Sequence, residues 1–203
     1  MNRWIHAARN VPVDGGETTQ TIVLEPSGPS RPQRGVEFPH KRIGLGRFEA
    51  PRHTSLWVLG THGDAGEHTL SALLPGAAPA GHRWPVSADE NSPTQVIVVC
   101  RSNHKGLTSA RRAAIEFAAG TLPTVRVLGL VIIADLPGKQ PKDLRDLATV
   151  VSGGFPESWE FPWVENYRRG DTESATPREI TTIIQTISDR LSLTSPSNRK
   201  ESR

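Results

Sequence analysis

Apolar positions along residues 54–193 follow two periods, and the periods alternate. Short unbroken apolar runs occur at Leu56–Leu59, within Gln95–Arg101 (QVIVVCR) and at Val127–Ala134. The last two are rich in β-branched residues, as expected of central strands buried on both faces. Between and after them the spacing becomes helical. Leu107, Ala110, Ala114, Phe117 and Ala118 mark one face of a helix that Gly120 stops, and Leu144, Leu147, Ala148 and Val151 mark a second that ends at Gly153-Gly154. Ile180, Ile183, Ile184, Ile187 and Leu191 form a third stripe, introduced by the capping box Thr176-Pro177-Arg178-Glu179 with proline at the first helical position. Shorter elements are read at His68–Leu74 (helix, ending before Pro75-Gly76), Arg83–Val86 (strand) and Trp159–Trp163 (strand, limited by Pro162), with Gly76–Gly81 a small-residue loop.

Strands alternating with helices predict an α/β fold: a three-layer, mostly parallel sheet with helices on both faces. Ligands of such sheets sit beyond the carboxyl ends of the strands. The loops after Leu59, Arg101 and Ala134 are therefore the places to look for chemistry. Residues 1–53 read as a disordered or loosely docked leader and residues 194–203 as a polar tail, leaving 54–193 as the domain. Charge follows the same division. The leader holds eight Lys and Arg against five Asp and Glu, the domain thirteen against fifteen, and the tail three against one. A slightly acidic domain argues against a nucleic-acid-binding face, while the basic tails suit weak contact with anionic partners. Cys100 is the single cysteine, which excludes a disulfide framework or a cysteine metal site, and suits a cytoplasmic protein. No apolar run approaches the roughly 20 residues of a membrane span.

The loop after the first strand is the most informative stretch. Residues Gly60–Thr69 read GTHGDAGEHT. A phosphate-cradling loop needs glycines so that its backbone N–H groups can turn toward the anion, and a helix start behind them. Gly60, Gly63 and Gly66 meet that need. The pattern then calls for lysine and a hydroxyl residue. Here Glu67 and His68 stand in those places, with Thr69 one position late.

HGDAGEHT at 62–69 resembles the deviant Walker A loop, KGGxGK[ST][ST], of the partition and septum-site ATPases. In that alignment His62 stands at the signature lysine, Gly63 at the first glycine, Asp64 at the second and Ala65 at the variable position. Gly66 matches the glycine before the catalytic lysine, Glu67 replaces that lysine, and Thr69 matches the last hydroxyl. QVIVVCRSNHKGLTSARRA, VLGLVIIAD and ESWEFPWVENYR resemble later segments of the same family, in the same order over residues 54–193. The loop also resembles GxHGGAGExT of an uncharacterised actinobacterial family, DUF6668, associated with conjugative elements. The resemblance implies a P-loop NTPase type of sheet, reduced between residues 75 and 94, where no Walker B strand ends in aspartate and only Asp89 and Glu90 lie in a polar loop. It implies an ATP or ADP site without a standard magnesium position. Without the lysines, the magnesium hydroxyl and the Walker B carboxylate, ordinary ATPase turnover is not expected.

Other candidates lie in the neighbouring loops. Lys105, Arg101 or Lys139 are cations able to replace the missing lysine, and Asp135 suits a base or ribose edge. Trp163, Tyr167, Arg168 and Arg169 suit a protein-partner surface, since aromatics and arginine are enriched at interfaces. His62, His68, His82 and His104 lack the spacing of a zinc site. Three readings stay open from the residues: a non-hydrolysing adaptor of DNA mobilisation or partition machinery, an active ATPase using a displaced lysine, and a purely structural interaction module.

Overall fold

The computed structural model describes residues 28–38, 44–171 and 176–194. Leader residues 1–27 and 39–43, among them the short apolar run Thr21–Leu24 readable as a strand or a docking segment, the tail 195–203 and the side chain of Arg168 lie outside the described residues. Five strands form one parallel sheet: β2 (Leu56–Gly60), β3 (Ala77–Pro79), β5 (Thr94–Arg101), β6 (Val125–Ile133) and β7 (Ser158–Phe161), in the order β3-β2-β5-β6-β7. In their own succession this order is second, first, third, fourth, fifth, a common doubly wound arrangement whose ligand crevice opens between the first and third strands. Folds of this kind serve many chemistries, so function has to be argued from the site.

Alternate side chains of the central strands feed two cores. Trp57, Leu59, Val96, Val98 and Cys100 meet α2 (His104–Ala118) and α3 (Lys142–Ser152) on one face. Leu56, Val58, Ile97, Val99 and Val131 meet α1 (Glu67–Leu73) and α5 (Arg178–Thr194) on the other, with α4 (Glu165–Arg168) a single turn after β7. The isoleucine stripe holds α5 in place: Ile180 and Ile187 are fully buried, each stabilising by about 1.5–3 kcal/mol. Glu157 and Arg190 add an ion pair from α5 to the residue before β7, although burial still raises the Glu157 carboxyl above its ordinary pKa. Burial alone pushes the Cys100 thiol to about 12, so it behaves as a small core residue.

Two parts of the chain depart from the sequence reading. Gly76–Gly81, expected to be a loop, contains the edge strand β3, paired with β2 from Leu56↔Ala77 to Val58↔Pro79. Residues 44–53, expected in the leader, carry β1 (Gly46–Glu49), which pairs in parallel with β4 (Arg83–Val86) as a separate two-stranded sheet. Glu116 of α2 fixes this ribbon. Its buried carboxylate accepts the Leu45 N–H at 3.1 Å and the Trp84 indole N–H at 2.9 Å, with Arg47 at 3.7 Å. Further upstream, Gln33 N–H reaches the Ala118 carbonyl at 2.8 Å. Among the described residues no helix is long and apolar enough to cross a membrane.

Candidate functional site

The loop from Gly60 to α1 keeps a sharply turned backbone. Asp64 has φ 62° and Gly66 φ 95°, both left-handed. Aspartate is one of the few non-glycine residues that adopts this conformation readily, which explains how it can occupy a glycine place in the resemblance. Gly66 has a second constraint: a Cβ there would lie 2.4 Å from the Ile133 Cδ1 atom. A Cβ on Gly63 would meet nothing within 4 Å. The N–H of Ala65 closes a turn on the His62 carbonyl at 3.3 Å, whereas those of Gly63, Asp64 and Gly66 have no acceptor among the described residues.

Glu67 opens α1 and is 2% exposed. Its Oε1 accepts N–H groups from Gly60 at 3.2 Å, Ala80 at 2.9 Å and His82 at 3.4 Å. Its Oε2 has no hydrogen bond. His82 Nδ1 is 3.4 Å from that oxygen, but its proton faces the Gly60 carbonyl, an obligate acceptor, at 3.0 Å. Glu67 therefore joins the end of β2 to the segment after β3. The sequence reading puts its negative charge in the path of a phosphate; the fold turns it away, and Glu67 is not among the residues lining the cleft.

That cleft, about 530 Å³, opens over the carboxyl ends of β5, β6 and β7, with the glycine loop as one wall. The volume is typical of small-molecule sites. Gly63, Asp64, Gly66 and Thr69 come from the loop and the helix behind it. Arg101 links the loop to the end of β6: its Nε donates to the Asp64 carbonyl at 3.0 Å and its Nη1 to the Ala134 carbonyl at 3.2 Å. Its backbone N–H donates to His62 Nε2 at 3.2 Å, while His62 Nδ1 donates to the Gly63 carbonyl at 2.6 Å. Both imidazole nitrogens are thus occupied in the neutral form. Burial lowers the His62 pKa below 6.5, the Gly63 hydrogen bond opposes this, and the charges of Lys105, His82 and Arg101 lower it further. His62, which the resemblance aligns with a signature lysine, does not supply a lysine's charge.

Lys105, in the first turn of α2, lines the cleft and makes no ion pair among the described residues. Asp135 lines it as well, its N–H held by the Ser102 hydroxyl at 3.0 Å. The opposite wall is aromatic. Trp163 and Tyr167 lie in it together with Phe161, and Tyr167 is fixed by a ring contact with Phe161 and by donating its hydroxyl proton to Thr176 at 3.2 Å. The sequence reading assigns Trp163 and Tyr167 to a partner surface; the carboxyl-end rule, applied to the segment after Phe161, also reaches them. Arg169 points elsewhere, 3.5 Å from Glu165. Of the other sequence-predicted residues, Gly60 and Ala65 are buried beneath the loop, and His68 and Lys139 are exposed outside the cleft. Among the described residues no group of three His, Cys, Asp or Glu side chains is placed to hold a metal.

The model of DUF6668, a family of unknown function, matches residues 54–187. No curated protein and no solved structure matches the chain.

Proposed function

The chain belongs to DUF6668, and because the family's function is unknown we propose, from the site itself, that it is a nucleotide-binding protein that does not hydrolyse its ligand. One observation carries this reading. The glycine loop keeps left-handed turns and N–H groups without an acceptor among the described residues, and it lines a cleft together with Arg101 and Lys105, while the residue in the catalytic lysine's place is committed to the loop's interior. Arg101, Lys105 and the loop N–H groups bind the anionic part; Trp163 and Tyr167 take the planar part. This set contains neither the hydroxyl nor the carboxylate that, together with a lysine, organise an ordinary phosphoryl transfer. The resemblance to partition ATPases supports reading such a protein as an adaptor for DNA mobilisation or partition machinery, responding to a ligand without consuming it.

The presence of Lys105 in the cleft, where Lys139 is not, gives the ATPase alternative its one specific support and a direct test. Calorimetry of the full chain with ATP, ADP, AMP and GTP, with and without magnesium, is run beside a phosphate-release assay. Saturable binding that Lys105→Ala weakens, with no release above the blank, is the expected result. Release abolished by Lys105→Ala turns the reading to an enzyme. No saturable heat with any nucleotide at millimolar concentration leaves a structural module.

A further inference from the structure

We infer that the cleft selects a planar heteroaromatic ligand carrying a single phosphate over its di- and triphosphate forms. The inference rests on the nucleotide-binding reading and adds the charge class of the ligand. Arg101 and Lys105 supply two positive charges to the lining, and Asp64 and Asp135 supply two negative ones. His62 adds none, because Arg101 N–H and the Gly63 carbonyl occupy its two nitrogens in the neutral form. The formal charge of the lining is therefore balanced among the described residues.

A phosphate monoester carries about −1.5 to −2 charges at neutral pH, which two cations and a few backbone N–H groups can match. Each further phosphate brings negative charge beside the two carboxylates of the lining, with no third Lys or Arg among the lining residues to match it. Arg101 is also limited in reach. Its Nε and Nη1 hold the Asp64 and Ala134 carbonyls, so it offers a ligand only its remaining N–H groups, from a place fixed between the glycine loop and the end of β6. Trp163 and Tyr167, after β7, line the same cleft two strands away from the end of β5 that carries Arg101, so one phosphate beside Arg101 and one ring against the aromatics both find partners in it. Nucleoside monophosphates and flavin mononucleotide share this chemistry.

The test is calorimetry on the full chain with AMP, GMP, flavin mononucleotide, ADP, ATP, adenosine and inorganic phosphate, first without metal and then with magnesium. At least one monophosphate is expected to bind about tenfold or more tighter than ATP, and tighter than adenosine or phosphate alone. The arms with AMP, GMP and flavin mononucleotide identify the ring. Asp135→Asn and Asp64→Asn are expected to narrow the gap between AMP and ATP; asparagine tolerates the left-handed backbone at position 64. ATP binding as tightly as AMP, with or without magnesium, overturns the inference and leaves the nucleotide reading standing. A gap unchanged in both aspartate variants overturns the charge argument. Failure of every nucleotide to bind overturns both.

Discussion

Replacing Glu67 with lysine restores the residue that the glycine loop lacks by comparison with the partition ATPases, yet the fold predicts loss of the loop. In the native protein one carboxylate oxygen receives N–H groups from Gly60, Ala80 and His82. Ala80 N–H has a second acceptor, the Val58 carbonyl at 2.9 Å; Gly60 and His82 have only Glu67 among the described residues. Hydrogen bonds to a charged group contribute roughly 1.5–3 kcal/mol each, so losing two costs about 3–6 kcal/mol. Lysine adds an ammonium, itself a donor, to a site 2% exposed and surrounded by donors. The expected total is a large part of the roughly 5–15 kcal/mol that holds a domain folded. Glu67→Gln keeps an oxygen in place and should cost about 1–2 kcal/mol. Urea unfolding followed by circular dichroism separates the three proteins through their midpoints. If Glu67→Lys unfolds within about 1 kcal/mol of the native chain, the carboxylate is not holding the loop and the reasoning fails.

Three further outcomes follow from the same geometry. Gly66→Ala should destabilise by about 2–4 kcal/mol, from its left-handed φ and the approach of Ile133, whereas Gly63→Ala should unfold like the native protein; equal midpoints for the two variants contradict the loop geometry. Because the folded His62 pKa lies below 6.5, the unfolded chain binds more protons between the two values, so this residue's contribution to stability is complete above about pH 6.5 and is lost as pH falls through that window. An NMR titration placing the His62 imidazole at or above 6.5 removes the prediction. Glu116→Ala leaves the Trp84 indole N–H and the Leu45 N–H without their acceptor and should cost about 2–5 kcal/mol, with hydrogen exchange rising first in Gly46–Glu49; unchanged protection there would show that β1 is held by other contacts.

The sheet was legible where burial is two-sided. Val96–Cys100 and Val127–Ile133 must be apolar on both faces, and an unbroken β-branched run announces that without help from the rest of the chain. β3 was not, because Ala77–Pro79 is three small residues whose strand pairing is supplied by β2. β1 was not either: Gly46-Arg47-Phe48-Glu49 has no strand-like pattern, and its order comes from β4 and a glutamate 67 positions beyond its last residue. At the site, the turn at Gly60–Thr69 and the neighbouring cation Lys105 could be read from composition and position. The direction in which Glu67 points could not, since its three donors come from Gly60, Ala80 and His82, of which two follow a strand absent from the sequence reading. Trp163 and Tyr167 were visible as aromatics, but whether they face a partner or a cleft depends on where β7 ends relative to β6.

Ala80 and His82 are tied to Glu67, and Trp84 is tied to Glu116, so five consecutive residues span two anchors on different helices. Their number acts as a gauge. One residue inserted or removed between Ala80 and Trp84 would misalign one anchor or the other, whereas the exposed turn Glu90–Ser92, whose hydrogen bonds are local to Asp89, bears no such double constraint. Homologous chains should therefore vary in length after Asp89 and keep the interval from Ala80 to Trp84 fixed, and a split or permuted version of the protein is best opened within residues 90–92.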